Sequence, residues 1–190
     1  PIFLNLKFFS VWTILTVALW WTLGYKMRQL SRSVDDQPLP SNEAARSFIW
    51  KNTVWAALFI VWFALTIMST VPWLWLMSID AHWYSTMYSW YTFASSWVAG
   101  VSLIALFVVY LKNNGYLEYT NEEHLHDLAK FMFAFSVFWT YLWFSQYMLI
   151  WYANIPEETT YFNSRISTDH QTGAYSGIFW FQFIINFLAP

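Results

Sequence analysis

Four long apolar stretches and one truncated one stand between short polar connections along this chain. They run from Phe8 to Gly24, Thr53 to Leu76, Trp90 to Leu111 and Leu128 to Tyr152, with the fifth beginning near Ser176. At about 1.5 Å of rise per residue, each long stretch spans roughly the hydrocarbon thickness of a bilayer when helical. The pattern therefore predicts an all-α, polytopic integral membrane helix bundle, with helices at about 8–24, 53–76, 90–111, 121–152 and 176–190. Gly177 to Pro190 is too short to cross, and the first residue is Pro1 rather than Met. Both features lead to the expectation of a fragment of a longer protein.

The polar connections orient these helices. Lys26, Arg28, Arg32, Arg46, Lys51, Lys112 and Lys130 fall on one side of the alternation, whereas the other side has Arg165, with Lys7 near the start. The excess of Lys and Arg on cytoplasmic loops of bacterial inner-membrane proteins makes 25–52 and 112–127 cytoplasmic and 72–89 and 153–175 outward-facing. Trp73, Trp75, Trp83, Tyr84, Tyr88 and Trp90 crowd the first outward loop, where amphipathic rings favour the headgroup level. The segment 28–47 carries both charge signs with Pro38 and Pro40 and reads as a cytoplasmic loop. Thr120 and Glu123 have the spacing of a capping box, so the fourth helix is expected to begin before its apolar part. Ser95, Ser96, Ala99 and Gly100 are small residues that permit close helix contact in the third.

Composition narrows the chemistry. With 58% hydrophobic and only 11% charged residues, the chain has too little polar surface to coat a water-soluble particle. A net charge of -2 and no basic run give nucleic-acid binding no support. There is no cysteine, which removes disulfides, thiolate metal sites, iron–sulfur ligation and c-type haem attachment. Of the four histidines, His82 and His170 lie in outward loops and His124 and His126 at the cytoplasmic start of the fourth helix, so none is placed for an intramembrane haem pair. A zinc site from Glu123, His124, His126 and Asp127 conflicts with the divergence of i,i+2 side chains on a helix.

The fourth helix offers the richest polar pattern. At about 100° per residue, Asp127, Lys130, Tyr141, Ser145 and Tyr152 share one arc, with Ser136, Thr140 and Tyr147 roughly opposite. That arc is a proton-path candidate with a gap of about 16 Å between Lys130 and Tyr141; helix geometry alone favours instead an interfacial i,i+3 pair of Asp127 and Lys130, with the hydroxyls bonding their own helix backbone. Gln146, an amide near the outer end of a spanning helix, demands a hydrogen-bond partner, which helix packing or a quinone carbonyl would supply. Pro156 ends the helix and leaves Glu157 and Glu158 at the outer surface.

The stretches WLMSIDAHWYST, Trp75 to Thr86, and HLHDLAKFMFAFSVFWTYLWFSQYMLIWYANIPEET, His124 to Thr159, resemble the ActF-type membrane subunit of bacterial alternative complex III, a quinol:cytochrome c oxidoreductase. The resemblance implies part of a larger NrfD-like protein of two four-helix bundles. It also implies an ActC-like sister subunit that carries quinol oxidation, haem c and iron–sulfur clusters in other subunits, and a terminal cytochrome oxidase as a further partner. No cofactor is expected in this chain. Its implied role is a scaffold and candidate proton half-channel, carried onto His126, Asp127, Lys130, Tyr141 and Ser145, with Asp80, His82, Glu157 and Glu158 at the outer exit. The alternative is that the chain itself hosts quinol oxidation near the outer face, through Gln146, His82 or His170. Leu74, Ala81 and Trp12 depart from the family pattern, and the loss of an acid at Leu74 shifts weight toward scaffolding.

Overall fold

The computed structural model describes residues 5–35, 41–80, 82–166 and 175–188. All regular structure among them is helical: α1 (Leu6–Asp35), α2 (Asn42–Met68), a π-helical turn (Thr70–Leu76), a 3-10 turn (Met77–Ile79), α3 (Met87–Asn113), α4 (Glu122–Ala153), α5 (Pro156–Asn163), α6 (Ser176–Phe183) and a second π turn (Ile184–Leu188). Four helices are long and apolar enough to cross a membrane: Leu6–Asp35, Asn42–Ile79, Met87–Asn113 and Glu122–Ala153. The chain divides into two compact units, Pro1–Leu76 and Met77–Pro190.

In the first unit α1 packs antiparallel on α2 through indole–threonine hydrogen bonds. Trp12 Nε1 donates to Thr70 Oγ1, Trp20 Nε1 to Thr66 Oγ1 and Trp75 Nε1 to Thr13 Oγ1, each at 3.0 Å. An indole N–H in hydrocarbon has no water to bond, so a threonine hydroxyl on the facing helix is its natural acceptor. Thr66 in turn donates to the Trp62 carbonyl at 2.7 Å, which ties that rung to the helix backbone. Pro72, buried inside the π turn, has no N–H to continue an α-helical ladder, and the wider turn carries the chain past it.

The second unit is built on α3 and α4, also antiparallel. Trp139 Nε1 donates to Ser95 Oγ at 2.7 Å, and Trp97 stacks on Phe135 at 4.9 Å. Ala94, Val98, Trp139 and Leu142 form the centre of this contact. Ala94 and Ser95 are the small residues that admit the Trp139 ring. Ser96 bonds its own helix at Thr92 O, and a Cβ added at Gly100 would meet nothing within 4 Å, so Gly100 makes no close helix contact. A second apolar cluster of Ile150, Phe162 and Phe179 joins α4, α5 and α6.

Several boundaries differ from the sequence reading. Most of 28–47 is helical, because α1 continues to Asp35 and α2 starts at Asn42, capped by Ser41 Oγ, which accepts from Ala44 N at 3.2 Å. Pro38 and Pro40 lie outside the described residues. The 72–89 segment, expected as an outward loop, is helical to Ile79 and again from Met87. The cap of α4 is shifted by one residue: Asn121 Oδ1 accepts from His124 N at 3.1 Å and His124 Nδ1 accepts from Asn121 N at 3.2 Å, in place of Thr120 and Glu123. Pro156 begins a new helix, α5, after Asn154 turns the chain in the left-handed region at φ 48°.

Candidate functional site

At its N-terminal end α4 presents Glu122, Glu123, His126, Asp127 and Lys130 around one shallow depression. Lys130 Nζ lies 3.2 Å from Asp127 Oδ1, with the two side chains 62% and 66% exposed. That is the i,i+3 pair the spacing suggested, solvent-exposed, and it is the only salt bridge among the described residues. Exposed ion pairs of this kind contribute little stability because water screens them. His124 is occupied by the helix cap, and no cluster of three His, Asp or Glu side chains suited to a metal occurs among the described residues.

The rest of the candidate arc does not come together inside the chain. Tyr141 is 63% exposed and Ser145 half-buried, while the face that packs on neighbouring helices carries Ser136, Trp139, Leu142, Gln146 and Ile150. Asp127, Lys130 and Tyr141 thus point away from the internal contacts of this unit. Gln146 is the opposite case. It is 3% exposed, its Nε2 has no hydrogen-bond partner among the described residues, and it stands one turn from Leu142 and one turn from Ile150, between the two apolar clusters.

At the other end of the unit the two resemblance stretches meet. Asp80 Oδ1 accepts from His82 N at 3.2 Å and Asp80 O accepts from Trp83 N at 3.2 Å, a tight turn that drives Trp83 inward. Trp83 is buried, donates Nε1 to the Glu158 carbonyl at 3.2 Å, stacks on Tyr161 at 4.6 Å and meets Tyr88 edge-on at 5.2 Å. Arg165 lies 3.6 Å over the Tyr161 ring and donates Nη1 to the Tyr161 carbonyl at 2.8 Å. Burial pushes the Tyr161 phenol up to about 12, with Arg165 opposing and Tyr88 adding to the rise. Tyr161 is therefore a neutral anchor rather than a proton carrier near neutral pH.

Asp80, His82 and Glu157 remain exposed, and Glu158 serves this cluster through its backbone. His170 lies outside the described residues. Sequence reasoning missed Trp83, Tyr161 and Arg165 as a unit. The available signal was Arg165, the one basic residue within an otherwise uncharged-to-acidic outward loop, close in sequence to two aromatic rings. No protein-family model and no curated protein matches this chain.

Proposed function

We propose that the chain is a non-redox integral membrane subunit of a bacterial inner-membrane quinol:electron-acceptor oxidoreductase of the alternative complex III type. In this reading it is part of an NrfD-like protein, acts as a scaffold beside an ActC-like subunit, and leaves haem c and iron–sulfur chemistry to partner chains. The carrying observation is how little of each long helix the chain buries: 6%, 17%, 11% and 17% of the most apolar window in turn. Helices so sparsely packed among themselves leave broad apolar faces for lipid and for helices of other subunits. The exposed arc of Asp127, Lys130 and Tyr141, turned away from the chain's own contacts, then lines a proton half-channel only together with a neighbouring subunit and its water.

The test is made on the tagged protein in its native membranes. Polypeptides carrying haem c and iron–sulfur clusters are expected to co-purify, and Asp127→Asn is expected to lower proton release per quinol in vesicles while the complex still assembles. Isolation without such partners would remove the respiratory reading; unchanged proton stoichiometry would remove the half-channel alone. The unpaired buried amide of Gln146 favours a second reading, in which this chain itself holds the quinol headgroup.

A further inference from the structure

Asn154 folds the chain back on itself where α4 ends, and a cleft of about 200 Å³ opens between the last turns of α4 and the helix that follows. Its floor is apolar, with Ile150 and Phe162 buried and Ile166 beside them. Its rim carries Tyr147, Trp151, Asn154 and Asn163, and no charged side chain among the described residues lines it. Thr159 also lines it and directs its hydroxyl proton to Pro156 O at 3.1 Å, leaving only lone pairs to offer.

We infer that this cleft holds the neutral, carbonyl-bearing headgroup region of a membrane amphiphile. Three features of the lining select that chemistry. An anion or cation entering here would find no opposite charge among the described lining residues, so its desolvation would go uncompensated there. A carbonyl oxygen finds donors in the Asn154 and Asn163 carboxamides, the Tyr147 phenol and the Trp151 indole, none of which makes a side-chain hydrogen bond among the described residues. The cleft also lies at the end of a helix long and apolar enough to span a bilayer, so a ligand seated in it keeps its acyl or isoprenoid tail in hydrocarbon. The ester carbonyls of a glycerolipid and the ring carbonyls of a quinone share this chemistry. The inference stands independently of the respiratory reading, because it concerns occupancy of the cleft and not turnover.

The experiment uses the full-length protein in lipid nanodiscs with two photoreactive probes, an azido-quinone and a diazirine phosphatidylcholine, and maps adducts by peptide mass spectrometry. Adducts are expected to concentrate in the 147–166 peptide relative to the exposed face of α1. Asn154→Gly keeps the left-handed turn available while removing the amide. Combined with Asn163→Ala, it should cut labelling about tenfold, the loss expected for two net hydrogen bonds. Asn163→Ala alone, at an exposed position, should give a partial loss and covers the case in which the double variant misfolds. Labelling by one probe only identifies its class as the occupant, and labelling by both supports the shared chemistry. Equal labelling of α1 and the 147–166 peptide, or labelling unchanged in the variants, would overturn the inference.

Discussion

On the packed face of α4, two polar side chains two turns apart meet opposite fates. The Trp139 indole, 1% exposed, finds Ser95 Oγ at 2.7 Å; the Gln146 amide, equally enclosed, leaves Nε2 unbonded. An unmade hydrogen bond from a buried donor costs about 1–3 kcal/mol. A protein retains such a group at no structural benefit unless something outside these contacts uses it. Gln146→Leu, nearly the same volume without the amide, is therefore expected to raise stability of the detergent-solubilised protein by about 1–3 kcal/mol. Thermal unfolding checks the sign, and a loss of stability would mean that the amide has an internal acceptor. If the second functional reading is right, the same variant also loses azido-quinone labelling near position 146.

At the scale of elements, the existence and order of the long helices were legible because runs of apolar residues leave a backbone in hydrocarbon no alternative to helical hydrogen bonding. Their ends were less so. Asn121 wins the α4 cap over Thr120 because His124 three residues on can return the bond with Nδ1, and a search for Thr-x-x-Glu does not see that. The polar residues 28–35 and 42–47 were read as loop from charge and nearby prolines, yet local helix propensity and the Ser41 cap extend both helices into them. On α4 the helical period alone groups Asp127, Lys130 and Tyr141 on one side, but it cannot tell which side faces neighbouring helices, since that depends on where Trp139 finds a small residue opposite. Helix α5 was missed for the same kind of reason: its contacts come from distant residues, Trp83 seventy-five positions from Glu158, and Ile150 and Phe179 around Phe162. That docking makes a pH prediction. Below pH 10 the Tyr161 phenol is protonated in folded and unfolded chains alike. Between the ordinary 10.0 and about 12 only the unfolded chain ionises there, so stability falls as pH rises through this window. The absorbance titration of the parent minus Tyr161→Phe should show a phenolate appearing near pH 12 in the folded protein. A difference step near 10 would show that the cluster around Tyr161 does not form.

For the molecule as a whole, the distribution of charge assigns an orientation that the fold makes easy to measure. Within the second unit, Lys112 and Lys130 lie at the end where α3 finishes and α4 starts, whereas the aromatic cluster, α5 and Arg165 lie at the other. Moving a basic end across a membrane is unfavourable relative to leaving it in the cytoplasm, so the Lys112 and Lys130 end should be internal and the α5 end external. The chain has no cysteine, and single cysteines can be introduced without background. Glu118→Cys sits in the connection between α3 and α4, and Glu157→Cys in the exposed first turn of α5. In intact cells whose outer membrane has been made permeable, an impermeant maleimide should modify Cys at 157 and spare Cys at 118 until the inner membrane is opened. The reverse pattern would invert the orientation and place Asp127 and Lys130 on the outside, where they could take no part in drawing protons from the cytoplasm. Modification of both positions in sealed cells would show instead that α4, the helix between them, does not cross the membrane.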